Sequence, residues 1–232
     1  MKFIVEKEVF EVLPNVCFGI VYATGINNTK EIKEINDFLD KEITKTYNFF
    51  KEKQVKEDKN IIPYREAFNK LDINPNKFLC SIEALFTRIS KNKGMPHINP
   101  IVDLGNTISL KYILPIGIHG IINNDDLMVR FSKNTDTFIP FGTNEFDNPT
   151  EREIVYVSGV SIRTRRWIWR QGEVGKITNN TSDVLFAIDG FIENKEKVIN
   201  ASDELSILLK EIFNCEIKIG YIDINNQEMD LN

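Results

Sequence analysis

The densest concentration of chemistry in this 232-residue chain is the run Arg163-Thr164-Arg165-Arg166-Trp167-Ile168-Trp169-Arg170. Guanidiniums take phosphates bidentately, and indoles stack on bases or on guanidiniums. Four arginines and two tryptophans in eight residues therefore have the makings of a nucleic-acid contact. Read as a strand, alternation puts Arg163, Arg165, Trp167 and Trp169 on one face and Arg166 and Arg170 on the other. The same residues fit a plainer arrangement, with the tryptophans in a core and the arginines paired to acids such as Glu151, Glu153 or Asp183. Directly after this run, Gln171-Gly172-Glu173-Val174-Gly175 sets one carboxylate between two glycines, where backbone can approach a ligand closely. Glu173 could there orient a water or take a proton if burial raises its pKa toward neutrality; in an open turn it is only an exposed acid. A third group is Asp103 and Asn106, three apart on one helix face, a polar pair suited to fastening a loop or lining a pocket. His119 lies in the glycine-bracketed stretch Ile116-Gly117-Ile118-His119-Gly120, where it could wall the same pocket or serve the packing alone.

The elements that must position these residues can be read from periodicity. The segments 3–12 and 16–22 read as strands, the second almost wholly apolar. From Lys30 to about Lys59, Ile32, Ile35, Phe38, Leu39, Ile43, Tyr47 and Phe50 mark a one-faced, solvated cover helix, with a break near 54–60. Shorter helices follow at 60–70, from Asn74-Pro75 to about Lys91, and at 101–112, the last opened by the cap-and-proline pair Asn99-Pro100. From Pro115 onward the period becomes two. Asn123-Asn124-Asp125-Asp126 reads as a hairpin turn between 116–122 and 127–131. Further strands are expected at 138–141, 154–157, 160–169 and 184–192, then a helix capped at Asn200-Ala201-Ser202 through Phe213 and a strand at 216–224. Strands, helices, many strands, then helix and strand make an α+β layout, with no alternating βαβ series.

Composition bounds the rest. Hydrophobic residues at 42% and charged residues at 27% describe a globular chain, read as one domain over 1–232 with 225–232 as a polar tail. No apolar run reaches a membrane span, and the start turns acidic too soon for a signal peptide. Three scattered cysteines point to a reducing, cytoplasmic setting, and with only two histidines no metal or other cofactor is expected. Lys+Arg 29 against Asp+Glu 34 gives −5, so any RNA contact must come from a local patch. Nucleotide phosphate loops and the common hydrolase elbow are absent from the sequence.

Taken together, Tyr64-Arg65, Ser81-Ile82-Glu83-Ala84-Leu85, Arg88, Ile98-Asn99-Pro100-Ile101-Val102-Asp103, Asn106, Pro115-Ile116-Gly117 and Arg166-Trp167-Ile168-Trp169-Arg170-Gln171 resemble, in order, the tRNA-binding B3/B4 domain. That domain belongs to the β subunit of phenylalanyl-tRNA synthetase and also occurs as freestanding short proteins. The resemblance runs from about Pro14 to Phe213 and fits the freestanding form, without the rest of a phenylalanine-tRNA ligase. It implies a three-layer fold with a mixed or antiparallel β-sandwich of unusual topology, a helical layer, and a pocket that hydrolyses mischarged aminoacyl-tRNA. By that resemblance Glu173 matches the editing glutamate, with Thr181 eight residues on. Gly117 falls where the family's histidine stands, and His119 lies two residues further along the same strand face, about 6–7 Å away. The implied roles are Glu173 and His119 in catalysis, Asp103, Asn106, Gly117 and Gly172 around the substrate, and Arg163, Arg165, Arg166, Arg170, Trp167 and Trp169 on the RNA. The expected function is binding of the aminoacyl end of tRNA, its amino-acid moiety included, with hydrolysis of incorrect esters in trans. The alternative is a non-enzymatic tRNA- or amino-acid-binding module with a vestigial pocket.

Overall fold

A computed structural model describes residues 1–29 and 31–232. In chain order the elements are β1 (Lys2–Val5), α1 (Lys7–Val12), β2 (Val16–Thr24), α2 (Lys33–Phe50), α3 (Ile62–Lys70), α4 (Ser81–Ser90), α5 (Pro100–Tyr112) and β3 (Ile116–Gly120). Then come β4 (Leu127–Phe131), β5 (Ile154–Ser158), β6 (Ser161–Arg165), β7 (Arg170–Gln171), β8 (Val184–Phe191), α6 (Lys195–Phe213), β9 (Glu216–Ile222) and β10 (Glu228–Asp230). The chain is α+β.

Two sheets result. A six-stranded sheet runs β10-β1-β4-β5-β6-β7 and is mixed, since β1 pairs with β4 in parallel. A four-stranded antiparallel sheet runs β3-β8-β2-β9. The period-two pattern of β2 explains how the sheets stack. Phe18, Ile20 and Tyr22 join Phe3, Val129 and Tyr156 of the six-stranded sheet in one core. Val21 and Ala23 turn the other way, onto Ile101, Leu104, Ile108, Val198 and Leu205 of α5 and α6. The layers are therefore sheet, sheet and helices, with Phe3 and Phe18 meeting across the sandwich at 6.2 Å between ring centroids. Burying a large apolar side chain contributes about 1.5–3 kcal/mol, so these two cores carry most of the stability.

Several expected boundaries move. Residues 7–12 form a helix, because Val9 and Phe10 bury from one side of a turn while Glu8 and Glu11 stay exposed. The cover helix starts at Lys33; Lys30, where its pattern begins, lies outside the described residues. Helix α4 starts at Ser81, after turns over 74–79, and α6 starts at Lys195, leaving Ser202 inside it with its hydroxyl donating to the Val198 carbonyl. Asn123 and Asn124 are left-handed (φ 56° and 54°) and reverse the chain tightly, yet no hairpin forms. Strand β3 is taken by β8 and β4 by β1 and β5, so the turn passes the chain from one sheet to the other. Residues 138–141 form no strand, Pro140 making one isolated bridge to Gly172. The polar tail is a strand, β10, paired to β1, with Leu231 buried behind it.

Candidate functional site

The arginine-tryptophan run does not alternate as one strand. Pairing ends at Thr164↔Gln171 and Arg165↔Arg170, and between them Arg166 and Trp167 adopt φ of 47° and 58°. Left-handed backbone is uncommon away from glycine and breaks the two-residue period. The six side chains consequently go to different places.

Trp167 turns into the core, where its indole Nε1 donates to Asp189 Oδ1 at 2.7 Å. Arg165 is buried, its Nε and Nη2 donating to the two carboxylate oxygens of Glu153 at 2.8 and 2.9 Å, and its Nη1 meets Asp147 at 2.7 Å. Arg163 is buried with no ion pair, and its Nη1 has no hydrogen-bond partner among the described residues. Gly175 has φ 77°, a left-handed backbone that favours glycine, and a side-chain carbon there would stand 2.3 Å from that nitrogen. Arg166 lies between the Phe78 and Trp169 rings, 4.0 and 4.7 Å from their centroids, and also reaches Glu153 at 3.2 Å. Arg170 is exposed above Trp169. Of the six residues expected on RNA, Arg163, Arg165 and Trp167 are thus interior groups.

Beneath Trp169 and Arg170 lies a cavity of about 530 Å³. One wall is the α5 stripe Val102, Asn106 and Ser109, at helical offsets 0, 4 and 7. Opposite lie Ile116, Gly117 and Ile118 of β3; Ile168 and Gln171 come from the turn and β7, and Leu85 from α4. Asp189 and Tyr156 line the cavity from within the sandwich. The walls are mostly apolar with a few polar groups, the usual make-up of a small-molecule site.

Asp189 is the group that the sequence reading missed. It is fully buried, and Oδ1 accepts from both the Tyr156 hydroxyl and the Trp167 indole at 2.7 Å, whereas Oδ2 has no partner among the described residues. Burial pushes its pKa up to about 7, against the opposing pull of the Tyr156 and Trp167 hydrogen bonds. Gln171 adds a buried amide nitrogen that also lacks a partner among the described residues. A signal was available: Asp189 is the one ionisable residue in Val184-Leu185-Phe186-Ala187-Ile188-Asp189-Gly190-Phe191, a run otherwise fit for a buried strand.

The expected catalytic pair is not on this cavity. The Glu173 carboxylate accepts from the Gly142 backbone N–H at 2.9 Å and from the Lys176 ammonium, and these bonds hold its pKa below the usual range. A proton acceptor near neutrality needs the opposite shift. His119 is buried and stacked on Tyr156 at 5.1 Å between ring centroids. Burial first, and the Arg163 charge second, lower its pKa to about 3, so the imidazole is neutral. Its relation to Gly117 is close: a side-chain carbon at 117 would fall 2.7 Å from His119 Nε2. The ring leans back into the room that a side chain at 117 would use.

Of the four substrate-pocket residues, Asn106 and Gly117 line the cavity. Asp103 fastens the loop before α5 instead, accepting from the Ile98 N–H at 3.0 Å and facing His97 Nδ1 at 3.1 Å. Gly172 is packed away from the cavity, where a side-chain carbon would stand 2.9 Å from the Ile162 carbonyl.

Fold and cavity describe an α+β sandwich with one helical face and a mostly apolar cavity beside its core. The chain belongs to the B3/4 domain family, whose model matches residues 63–213. Among solved structures it is similar to an N-terminal fragment of the phenylalanyl-tRNA synthetase beta subunit from Pyrococcus horikoshii. That likeness has 12% identity and a TM-score of 0.49, and covers 93% of this chain and 49% of the fragment. The chain thus spans about half the length of that relative. No curated protein matches it. Among the described residues no helix is long and apolar enough to cross a membrane.

Proposed function

We propose that this cavity receives the aminoacyl group of a charged tRNA. The carrying observation is the unpartnered Oδ2 of Asp189 beside apolar walls. A buried carboxylate left half-satisfied is costly, and a cationic donor relieves that cost. An α-aminoacyl ester supplies such a donor in its ammonium, next to a side chain that the Leu85, Val102, Ile116 and Ile168 surfaces can cover. Membership of the B3/4 family supports a tRNA-linked ligand, and a cytoplasmic location goes with it. The role is recognition. Water activation by Glu173 or His119 lacks support, since one is held ionised outside the cavity and the other is neutral and enclosed.

A second reading, a site for free amino acids, is favoured by one observation: Arg163 and Arg165 are interior, which leaves few cations for a phosphate backbone. Salt separates the two, because phosphate contacts make affinity fall as ionic strength rises.

The test is calorimetric titration with amino-acid methyl esters and with their deamino analogues. Asp189→Asn should weaken the amino esters about tenfold to a hundredfold, the size of one hydrogen bond to a charged group, and leave the deamino esters unaltered. Equal affinity of the variant and the parent protein for the amino esters would remove Asp189 from recognition.

A further inference from the structure

We infer that the mouth of the cavity is a nucleoside platform, with Phe141 as its stacking face and Arg170 as its single phosphate contact. This rests on the reading that an aminoacyl group fills the cavity. An ester buried by its acyl part must leave its ribose, base and 5′-phosphate at the opening, so the opening should offer a flat apolar face and a cation.

Phe141 and Trp169 both line the cavity, and Phe141 is 56% exposed. Exposed phenylalanines are common singly, and this one differs in being held. Its N–H donates to the Gln171 carbonyl at 3.1 Å, while the next N–H, of Gly142, donates to Glu173. Glu173 is therefore a positioning residue: its carboxylate ties the Phe141 loop to the β7 end and also binds Lys176, whose ammonium lies 5.8 Å from the Phe141 centroid. An aromatic face fixed beforehand loses little freedom when a base stacks on it.

Charge fits the same occupant. Rings alternate with cations around the opening: Phe141 with Lys176, and Trp169 with Arg166 and Arg170. Aromatic faces interleaved with basic side chains are how single-stranded nucleic acid is held without base readout. Lys176 is bound to Glu173 and Arg166 reaches Glu153, whereas Arg170 makes no ion pair among the described residues. One free cation accommodates one phosphate, so the platform fits a terminal nucleotide and not a long strand.

The experiment compares three probes on the intact chain: amino-acid methyl esters, the matching 3′-aminoacylamino-3′-deoxyadenosine 5′-phosphates, and AMP alone. In the parent protein the nucleotide-bearing compounds should bind roughly tenfold tighter than the esters. Phe141→Ala should cut that advantage below about threefold, Phe141→Trp should keep it, and Glu173→Gln should reduce it in part. Arg170→Ala should abolish a salt slope of about 0.7 in log–log terms, the value for one phosphate of a single strand. The inference is overturned if the parent protein shows no nucleotide advantage, or if the advantage survives Phe141→Ala with thermal melts matched. AMP binding that depends on Phe141 while the esters fail to bind keeps the platform and refutes the cavity reading. Ester binding with no response to the nucleotide does the reverse.

Discussion

Arg163 and Arg165 are two residues apart on β6, both buried, and their surroundings are opposite. Around Arg165 the charges close on themselves, with Glu153 accepting from Nε and Nη2 and Asp147 from Nη1. Arg130 on β4 repeats the pattern with Asp136, two bonds of 2.8 Å. On the cavity side, Asp189 Oδ2 and Gln171 Nε2 are buried without partners among the described residues, as are, outside the cavity lining, both His119 nitrogens and an Arg163 nitrogen. Native interiors satisfy nearly all buried polar groups, and the exceptions call for a reason such as ligand binding. The paired arginines hold strands and loops of the six-stranded sheet together; the cavity-lining Asp189 and Gln171 are left half-satisfied at a cost in stability, as binding sites commonly are.

The contrast can be broken from either side. The largest effect should come from Glu153→Ala, which leaves buried Arg165 with only the half-exposed Asp147 for charge: about 3–5 kcal/mol lost by denaturant unfolding at pH 7. Burial alone would raise the Glu153 pKa, but the bonds from Arg165 and Thr150 win and bring it below the usual range. Its contribution is therefore present above the ordinary carboxylate range and lost on acidification. A parent-like midpoint would mean that this pair is not structural.

Asp189→Asn should act in the other direction. The amide oxygen keeps the Tyr156 and Trp167 bonds, and the amide mimics the protonated acid. With the folded pKa near 7 and the ordinary aspartate value 3.8, ionised Asp189 costs stability above pH 7 and nothing below about 4. The variant should gain up to about 4 kcal/mol at pH 8, with the gain fading as pH falls through that window. An equal difference at pH 4 and pH 8 would refute the assigned titration. The smallest effect is expected from Arg163→Met. Removing an unpaired buried cation in favour of a similar apolar volume should leave stability within about 1 kcal/mol of the parent, or raise it. A loss beyond about 2 kcal/mol would show that Arg163 has a partner and belongs with Arg165.

The sequence made the local parts of this molecule readable. Asn99 caps α5 with its side chain accepting from the Val102 N–H at 3.1 Å, as the Asn-Pro pair predicts, and β4 and β5 fall where alternation puts them. Partner choice was harder to see. Whether β3 joins β4 or β8 is decided by residues some seventy positions away, such as Ile188 opposite Ile116, and no turn composition encodes that. The cavity was partly legible: Asn106 and Gly117 were expected on the pocket and do line it, whereas Trp169 and Arg170, also in its lining, were expected on RNA, and Val102 and Ser109 went unnoticed as lining. The assignment of charge was not, because left-handed backbone at Arg166 and Trp167 ends the alternation that had put Arg163, Arg165, Trp167 and Trp169 on one face. The lone aspartate of β8 was visible and carried more information than the arginine cluster.

The close approach of His119 to Gly117 couples the two positions in any exchange of their side chains. A side-chain carbon at 117 meets the Nε2 edge of the imidazole, whose face is stacked on Tyr156, so a substitution there requires the ring to shift. Shrinking 119 first opens the space. Exchange of the two side chains therefore proceeds most easily with position 119 reduced first, since that removes the contact before a side chain is added at 117.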